Sequence, residues 1–303
     1  MESEAMMAMA GDNRANRRRC GWLLAACALC FAIATPTLAQ QPAATPAAPV
    51  VATYADLAEL VGKSRVVAVV QVSDQAVVEA ARAPGLAPGH ARLYLTTQVQ
   101  SVLFGTSALG ANQAFLADVP LNAKGRVPKL KKARFLIFAN AVSGRPGTLQ
   151  LVEPDAMFNA DPALQERVRR GVEQAAARDA PPVITGVREA FSIAGNLAGE
   201  SETQVFLDTA NGSPVSLSVV RRPGMDPHWG VSWTEIVDQS ARAPGRETLA
   251  WYRLACSLPQ QLPVDAVGNS DRVSRMQADA DYRFILDQLG PCERVRHGGS
   301  GQP

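Results

Sequence analysis

Arg65-Val66-Val67-Ala68-Val69-Val70-Gln71-Val72-Ser73 decides how the first half of this chain is read. Valine is branched at Cβ, which stiffens χ1 and suits a pleated surface, so the run reads as a strand. Upstream, Thr53 can cap a short helix with Asp56 three residues on. Leu57, Leu60 and Val61 form its apolar face, and Gly62 is its expected stop. Downstream, Pro84-Gly85 and Pro88-Gly89 mark a loop, and residues 93–104 read as a second, long strand stopped by Gly105. Residues 114–119, 134–139 and 148–152 are further strand candidates, each bounded by Gly, Pro or Asn. About five strands within roughly 100 residues point to a small barrel or sandwich rather than a βαβ sheet.

The pattern then changes. Asp161 can cap a helix with Pro162 in its first turn, and Leu164, Val168, Val172 and Ala175 recur at helical spacing. Pro181-Pro182 closes this connecting helix of residues 158–182. The second region, 183–293, opens with extended segments at 184–193, 203–207 and 215–220. Asn211-Gly212 between apolar runs signals a hairpin. Another strand is expected at 229–237. Leu249, Tyr252 and Cys256 share a helical face, and a last helix is expected over 278–289 on Ala278, Tyr282, Ile285 and Leu289. Gly290-Pro291 halts it just before Cys292, and 294–303 reads as a disordered tail. The fold class is therefore α+β: an antiparallel β-barrel-like domain over 53–157 and a mixed α+β domain over 183–293.

The N-terminus has the order of an export signal. Arg14 and Arg17-Arg18-Arg19 precede an apolar run from Cys20 to Ala34, and Thr37-Leu38-Ala39 supplies small residues at −3 and −1. Cleavage is expected between Ala39 and Gln40, leaving a Pro/Ala linker over 40–52. Met9 is an alternative start, because Met1 to Asn16 is long for the basic segment. Three other readings stand beside cleavage. The run nears the length of a membrane helix, which would anchor the chain in the inner membrane. Leu24-Ala25-Ala26-Cys27 resembles a lipoprotein cleavage box, and Arg17-Arg18 or Arg18-Arg19 could open a twin-arginine signal. Each places the remaining chain outside the cytoplasm, in the periplasm or beyond. Membrane attachment is expected only if the segment stays uncleaved.

Cysteine usage follows the same line. Cys20, Cys27 and Cys30 lie in the signal, leaving Cys256 and Cys292, and an even pair in an oxidising compartment reads as one disulfide. Closing that loop stabilises by about 3–4 kcal/mol in the chain-entropy view.

The chain has 303 residues, with 30 Lys+Arg against 28 Asp+Glu. That balance lacks the basic excess of a dedicated nucleic-acid binder. An apolar fraction of 47% is that of a globular protein rather than a disordered one.

Two resemblances enter here. Ser64-Arg-Val-Val-Ala-Val-Val70, then Tyr94 through Gly105, then Ala133-Arg-Phe-Leu-Ile-Phe-Ala139 resemble netrin-type OB-fold barrels, a group that includes the tissue inhibitors of metalloproteinases. The resemblance covers about a third of the chain and implies an OB-like barrel. It implies no inhibitory function, because no cysteine lies between residues 31 and 255 to enter a protease's metal site. The second half resembles exported bacterial proteins of unknown function.

Catalytic equipment is sparse. Gly62-Lys63-Ser64 ends like a phosphate loop, but Leu57 stands where the first glycine must turn, and the helix precedes the strand. There is no Gly-x-Ser-x-Gly and no Ser-x-x-Lys. The three histidines, His90, His228 and His297, are scattered, so no metal shell and no cofactor is expected. His90 and His228 are loop bases at most. Glu200/Glu202 and Asp279/Asp281 are carboxylate pairs that would serve a hydrolase, although a solvated turn is the ordinary reading of the first.

Two features carry more weight. Lys124, Arg126, Lys129, Lys131, Lys132 and Arg134 fall within eleven residues free of acid, and are candidates to bind anionic lipid, lipopolysaccharide phosphate or an acidic partner. The ordinary reading is a solvated loop guarding a strand edge. Trp229, Val231 and Trp233 alternate, so both indoles share a strand face beside His228. Such a face is either a stacking platform for glycan or the buried side of a sheet. The leading expectation is a non-enzymatic envelope protein that binds a partner protein, a glycan or an anionic lipid surface. A carboxylate- or serine-dependent hydrolase and a membrane-tethered structural module are the alternatives.

Overall fold

Why one helix should serve two cores is written into its ten residues. The computed structural model describes residues 52–105, 109–234, 241–268 and 270–296, which belong to one compact unit. Helix α1 (Tyr54–Lys63) starts on a capping box: Thr53 Oγ1 accepts from the Asp56 amide, and the Asp56 carboxylate accepts from the Thr53 amide at 2.9 Å. Leu57, Leu60 and Val61 face one hydrophobic core, while Tyr54 and Ala58 face another. The helix runs through Gly62, the expected stop, and ends at Ser64, whose hydroxyl donates to the Leu60 carbonyl at 2.6 Å.

The first core lies within a curled antiparallel sheet. Strands β1 (Val66–Val77), β2 (His90–Gly105), β3 (Asn112–Pro120), β4 (Arg134–Ala141), β5 (Leu149–Leu151) and β6 (Met157–Asn159) run in the order β3-β2-β1-β4-β5, with β6 also paired to β4. Val66–Val72 is buried nearly throughout, as expected of a central strand covered on both sides. Register shifts at Val67/Ala68, Val69/Val70 and Val72/Asp74 are the bulges that bend it. The expected barrel is not closed by a ladder. The sheet's ends meet at a single bridge, Ala114 to Thr148, and at the Asp118 amide, which donates to the Pro154 carbonyl at 2.8 Å. Three-residue β5 and β6 are too short to zip along nine-residue β3.

Helix α2 (Pro162–Ala176), capped by Asp161, lays Val168 and Val172 on the first core. The second core sits under a meander of β7 (Ile184–Ala194), β8 (Ser201–Thr209), β9 (Val215–Arg221) and β10 (His228–Ser232). Helices α3 (Leu249–Ala255) and α4 (Arg272–Leu289) cover it with Trp251, Leu254, Tyr282, Ile285 and Leu289. The β8–β9 connection is the expected Asn211-Gly212 hairpin. Helix α4 begins six residues before the predicted start, because Asp271 caps it by accepting from the Val273 and Ser274 amides. It ends at Gly290, whose φ of 69° suits a residue without Cβ. The Cys256–Cys292 disulfide, with a Cα–Cα distance of 5.1 Å, follows directly and ties the end of α3 to the chain beyond α4.

After Cys292 the chain straps back across α1. Arg294 pairs with Glu59, the Val295 amide donates to the Asp56 carboxylate at 3.2 Å, and Arg296 stacks on Phe158 while pairing with Glu153 and Asp155. Residues 294–296, placed by the sequence in the tail, are thus bonded, and 297–303 lie outside the described residues.

Tyr54 carries a pH consequence. Burial, reinforced by Glu247, pushes its phenol up to about 12, and burial alone also raises Tyr282. A folded state that holds the protonated phenol is fully stabilised below about pH 10 and loses that stability as pH rises toward 12. Circular dichroism is expected to show unfolding in this window, at a higher midpoint in Tyr54→Phe. An unchanged midpoint in that variant would remove Tyr54 as a cause.

Candidate functional site

The six basic residues sit on or beside a loop whose backbone is fixed while its side chains stay in water. The loop joins β3 to β4. Asn122 turns it at one end, its carboxamide oxygen accepting from the Lys124 and Arg126 amides at 2.9 and 3.1 Å. At the other end the Gln75 carboxamide reads the backbone twice, accepting from the Leu130 amide at 2.5 Å and donating to the Pro128 carbonyl at 2.9 Å. Gln71 donates to the Lys132 carbonyl at 3.2 Å, and the Lys132 amide donates to the Val72 carbonyl at 2.8 Å. Lys132 itself has a φ of 69°, a conformation that its neighbours' hydrogen bonds must hold. Val127, Leu130 and Ala133 pack down on the first core.

The cations point the other way. Lys124, Arg126, Lys129, Lys131, Lys132 and Arg134 are all exposed. Among the described residues none has a carboxylate within 4.0 Å. A fixed cluster of uncompensated positive charge attracts phosphate and other anions and does no bond chemistry by itself.

The tryptophans are differently placed. Trp229 is 5% exposed and lies in the second core with Val231, so its indole offers no open face and the stacking platform is corrected to the buried side of a sheet. Trp233 packs partly buried against the same core. His228 stands on the opposite face, where its Nε2 lies 3.0 Å from the Ala241 carbonyl and so carries the proton. The Ala241 carbonyl comes so close to Gly230 that a Cβ there would lie 2.1 Å from it. His90 Nδ1 lies 3.1 Å from the Pro88 carbonyl.

The carboxylate pairs are split by their partners. Glu200 closes the β7–β8 turn by accepting from the Asn196 and Leu197 amides at 3.1 and 3.3 Å, whereas Glu202 accepts from Gln204 at 2.8 Å. Both line a cleft of about 970 Å³ with Asp226 and His228. Asp279 pairs with Arg283 in solvent. Asp281, fully buried two residues later, accepts from Thr203 (2.5 Å), Gln277 (3.1 Å) and Arg221 (2.6 Å). Gly62 and Lys63 lie in the last turn of α1, with Lys63 paired to Glu59 and Glu153, so no phosphate loop exists there. Among the described residues no group of three His, Cys, Asp or Glu side chains is placed to hold a metal, and no helix is long and apolar enough to cross a membrane.

The sequence reading missed the Asp281 network altogether. Its only local signal is Ala278-Asp279-Ala280-Asp281-Tyr282, in which a carboxylate stands next to a core tyrosine. Trp229, Tyr282 and the two joined cysteines therefore describe structure, whereas the cations of the basic loop stay exposed and have no carboxylate within 4.0 Å among the described residues. No protein-family model and no curated protein matches the chain.

Proposed function

We propose that the protein is an exported, disulfide-stabilised binding module of the cell envelope, docked by residues 124–134 on anionic lipid phosphates. The reading takes the first sheet as a small OB-like barrel, which its curl and the Ala114–Thr148 bridge support. It takes the N-terminal segment as the export signal, and the Cys256–Cys292 bridge fits an oxidising, non-cytoplasmic location.

One observation carries the binding claim: six exposed cations on a backbone pinned by Asn122, Gln71 and Gln75, with no carboxylate within 4.0 Å of them among the described residues. A pinned loop loses little entropy when it meets a surface. Each cation near an anionic bilayer contributes about 1 kcal/mol, screened by salt.

Cosedimentation of the full chain with phosphatidylglycerol-rich vesicles is the test. Binding is expected to exceed that to phosphatidylcholine and to weaken as salt rises. Lys129→Glu, Lys131→Glu and Lys132→Glu together are expected to lower it on the order of 100-fold. Equal binding by that variant, or equal binding to both lipids, defeats the reading.

A further inference from the structure

Along β1–β3 and β5, and lined by no residue of the basic loop, lies a groove of about 830 Å³, within the size range of ligand sites. Apolar and polar side chains line it in similar measure. Tyr94 on β2 stands opposite Leu116 on β3 and Ala76 on β1, and Val77 follows. Tyr94 and Leu116 are 46% and 48% exposed, whereas their sequence neighbours Leu93, Leu95, Phe115 and Ala117 are buried in the core; Val77, at the end of β1 and paired with Leu93, is 58% exposed at the groove's edge. Strand alternation thus sends large apolar side chains outward where solvent-facing positions are ordinarily polar. A contiguous apolar patch on a sheet marks a contact surface.

The charges around it are unequal in availability. One row along, Arg92 grips Asp118 in a two-pronged pair at 2.7 and 2.8 Å and donates to the Pro84 carbonyl at 3.1 Å, so both ions are compensated. Glu153 is held by Lys63 and Arg296. Arg82 and Arg145 also line the groove, are exposed, and have no carboxylate within 4.0 Å among the described residues. Glu79 is the one lining carboxylate without such a pair, so the uncompensated charge is positive.

We infer that this groove docks an extended acidic peptide segment of a partner protein, with an apolar side chain over Tyr94 and Leu116 and carboxylates at Arg82 and Arg145. A flat bilayer cannot follow a concave surface, and a neutral glycan would leave both arginines without a counter-charge. An extended chain supplies both chemistries, because alternate side chains fall on one face.

The test is selection of a random twelve-residue peptide library on the full chain, followed by titration of the selected peptide. Enriched sequences are expected to place an aromatic or branched aliphatic residue beside Asp or Glu. Tyr94→Ser and Arg145→Glu, both at exposed positions that folding tolerates, are expected to weaken the selected peptide at least about tenfold each. Exchanging the peptide's acid for lysine is expected to restore binding to Arg145→Glu. The triple lysine-to-glutamate variant of the basic loop is expected to bind the peptide unchanged, which separates this site from the lipid-docking surface. Failure to enrich any such sequence, or a selected peptide insensitive to Tyr94→Ser, overturns the inference. So does loss of peptide binding in the triple variant alone.

Discussion

Asp281→Ala is expected to destabilise the protein by about 2–4 kcal/mol, because a buried hydroxyl and a partly buried guanidinium lose their acceptor. The carboxylate is fully buried and compensates three donors: the Thr203 hydroxyl, the Gln277 amide and the Arg221 guanidinium. Thr203 is also buried and further engages Ser192, whose backbone is clasped by Ser274 of α4. Removing the acid leaves Arg221, partly exposed at the wall of the cleft, without its partner and unpairs a network joining α4 to β7, β8 and β9. Replacing Asp281 by leucine together with Arg221 by methionine is expected to recover part of the loss, since an apolar pair leaves no uncompensated charge. Urea midpoints measure both. A loss below about 1 kcal/mol for Asp281→Ala would show that water replaces the acid without cost.

The second large effect belongs to the disulfide. Exchanging Cys256 and Cys292 for serine is expected to lower stability by about 3–4 kcal/mol, given their separation of 36 residues. For a chain of this size that is a fall in Tm of about 10 °C. Trp251 still donates to the Leu289 carbonyl at 2.9 Å, so the helices keep one direct tie. The strap loses its nearest covalent tie, however: Arg294, Val295 and Arg296, which reach α1 and Phe158, follow Cys292 within four residues. Thermal melts with and without reductant are the measurement, and limited proteolysis after residue 293 is expected to quicken in the reduced protein. Identical melts would mean that packing alone holds this end.

Much of the element order was legible because local physics agreed with the global fold. The valine run from Val66, the Thr53 and Asp161 caps and the Asn211-Gly212 turn each announce themselves within a few residues. What escaped were features that depend on distant partners. Strand β6 is three residues long and exists through its pairing with β4. The early start of α4 rests on Asp271, which caps a first turn whose Val273 and Met276 are exposed and break the apolar periodicity. Trp229 and Trp233 share a face as alternation requires, but only the second core shows that this face is the inner one. The groove at Tyr94 was invisible for the reverse reason: its residues look like ordinary strand positions until exposure is known. For the basic loop, sequence gave the charges, and the tertiary bonds from Gln71 and Gln75 supplied the rigidity.

Passage of the chain out of the cytoplasm is tested most directly by one mass measurement. Protein isolated from its native cells without reductant should give an intact mass that starts at Gln40 and is two hydrogens below that of the fully reduced chain. A full-length species with free thiols at Cys256 and Cys292, recovered from the cytosolic fraction, would contradict it.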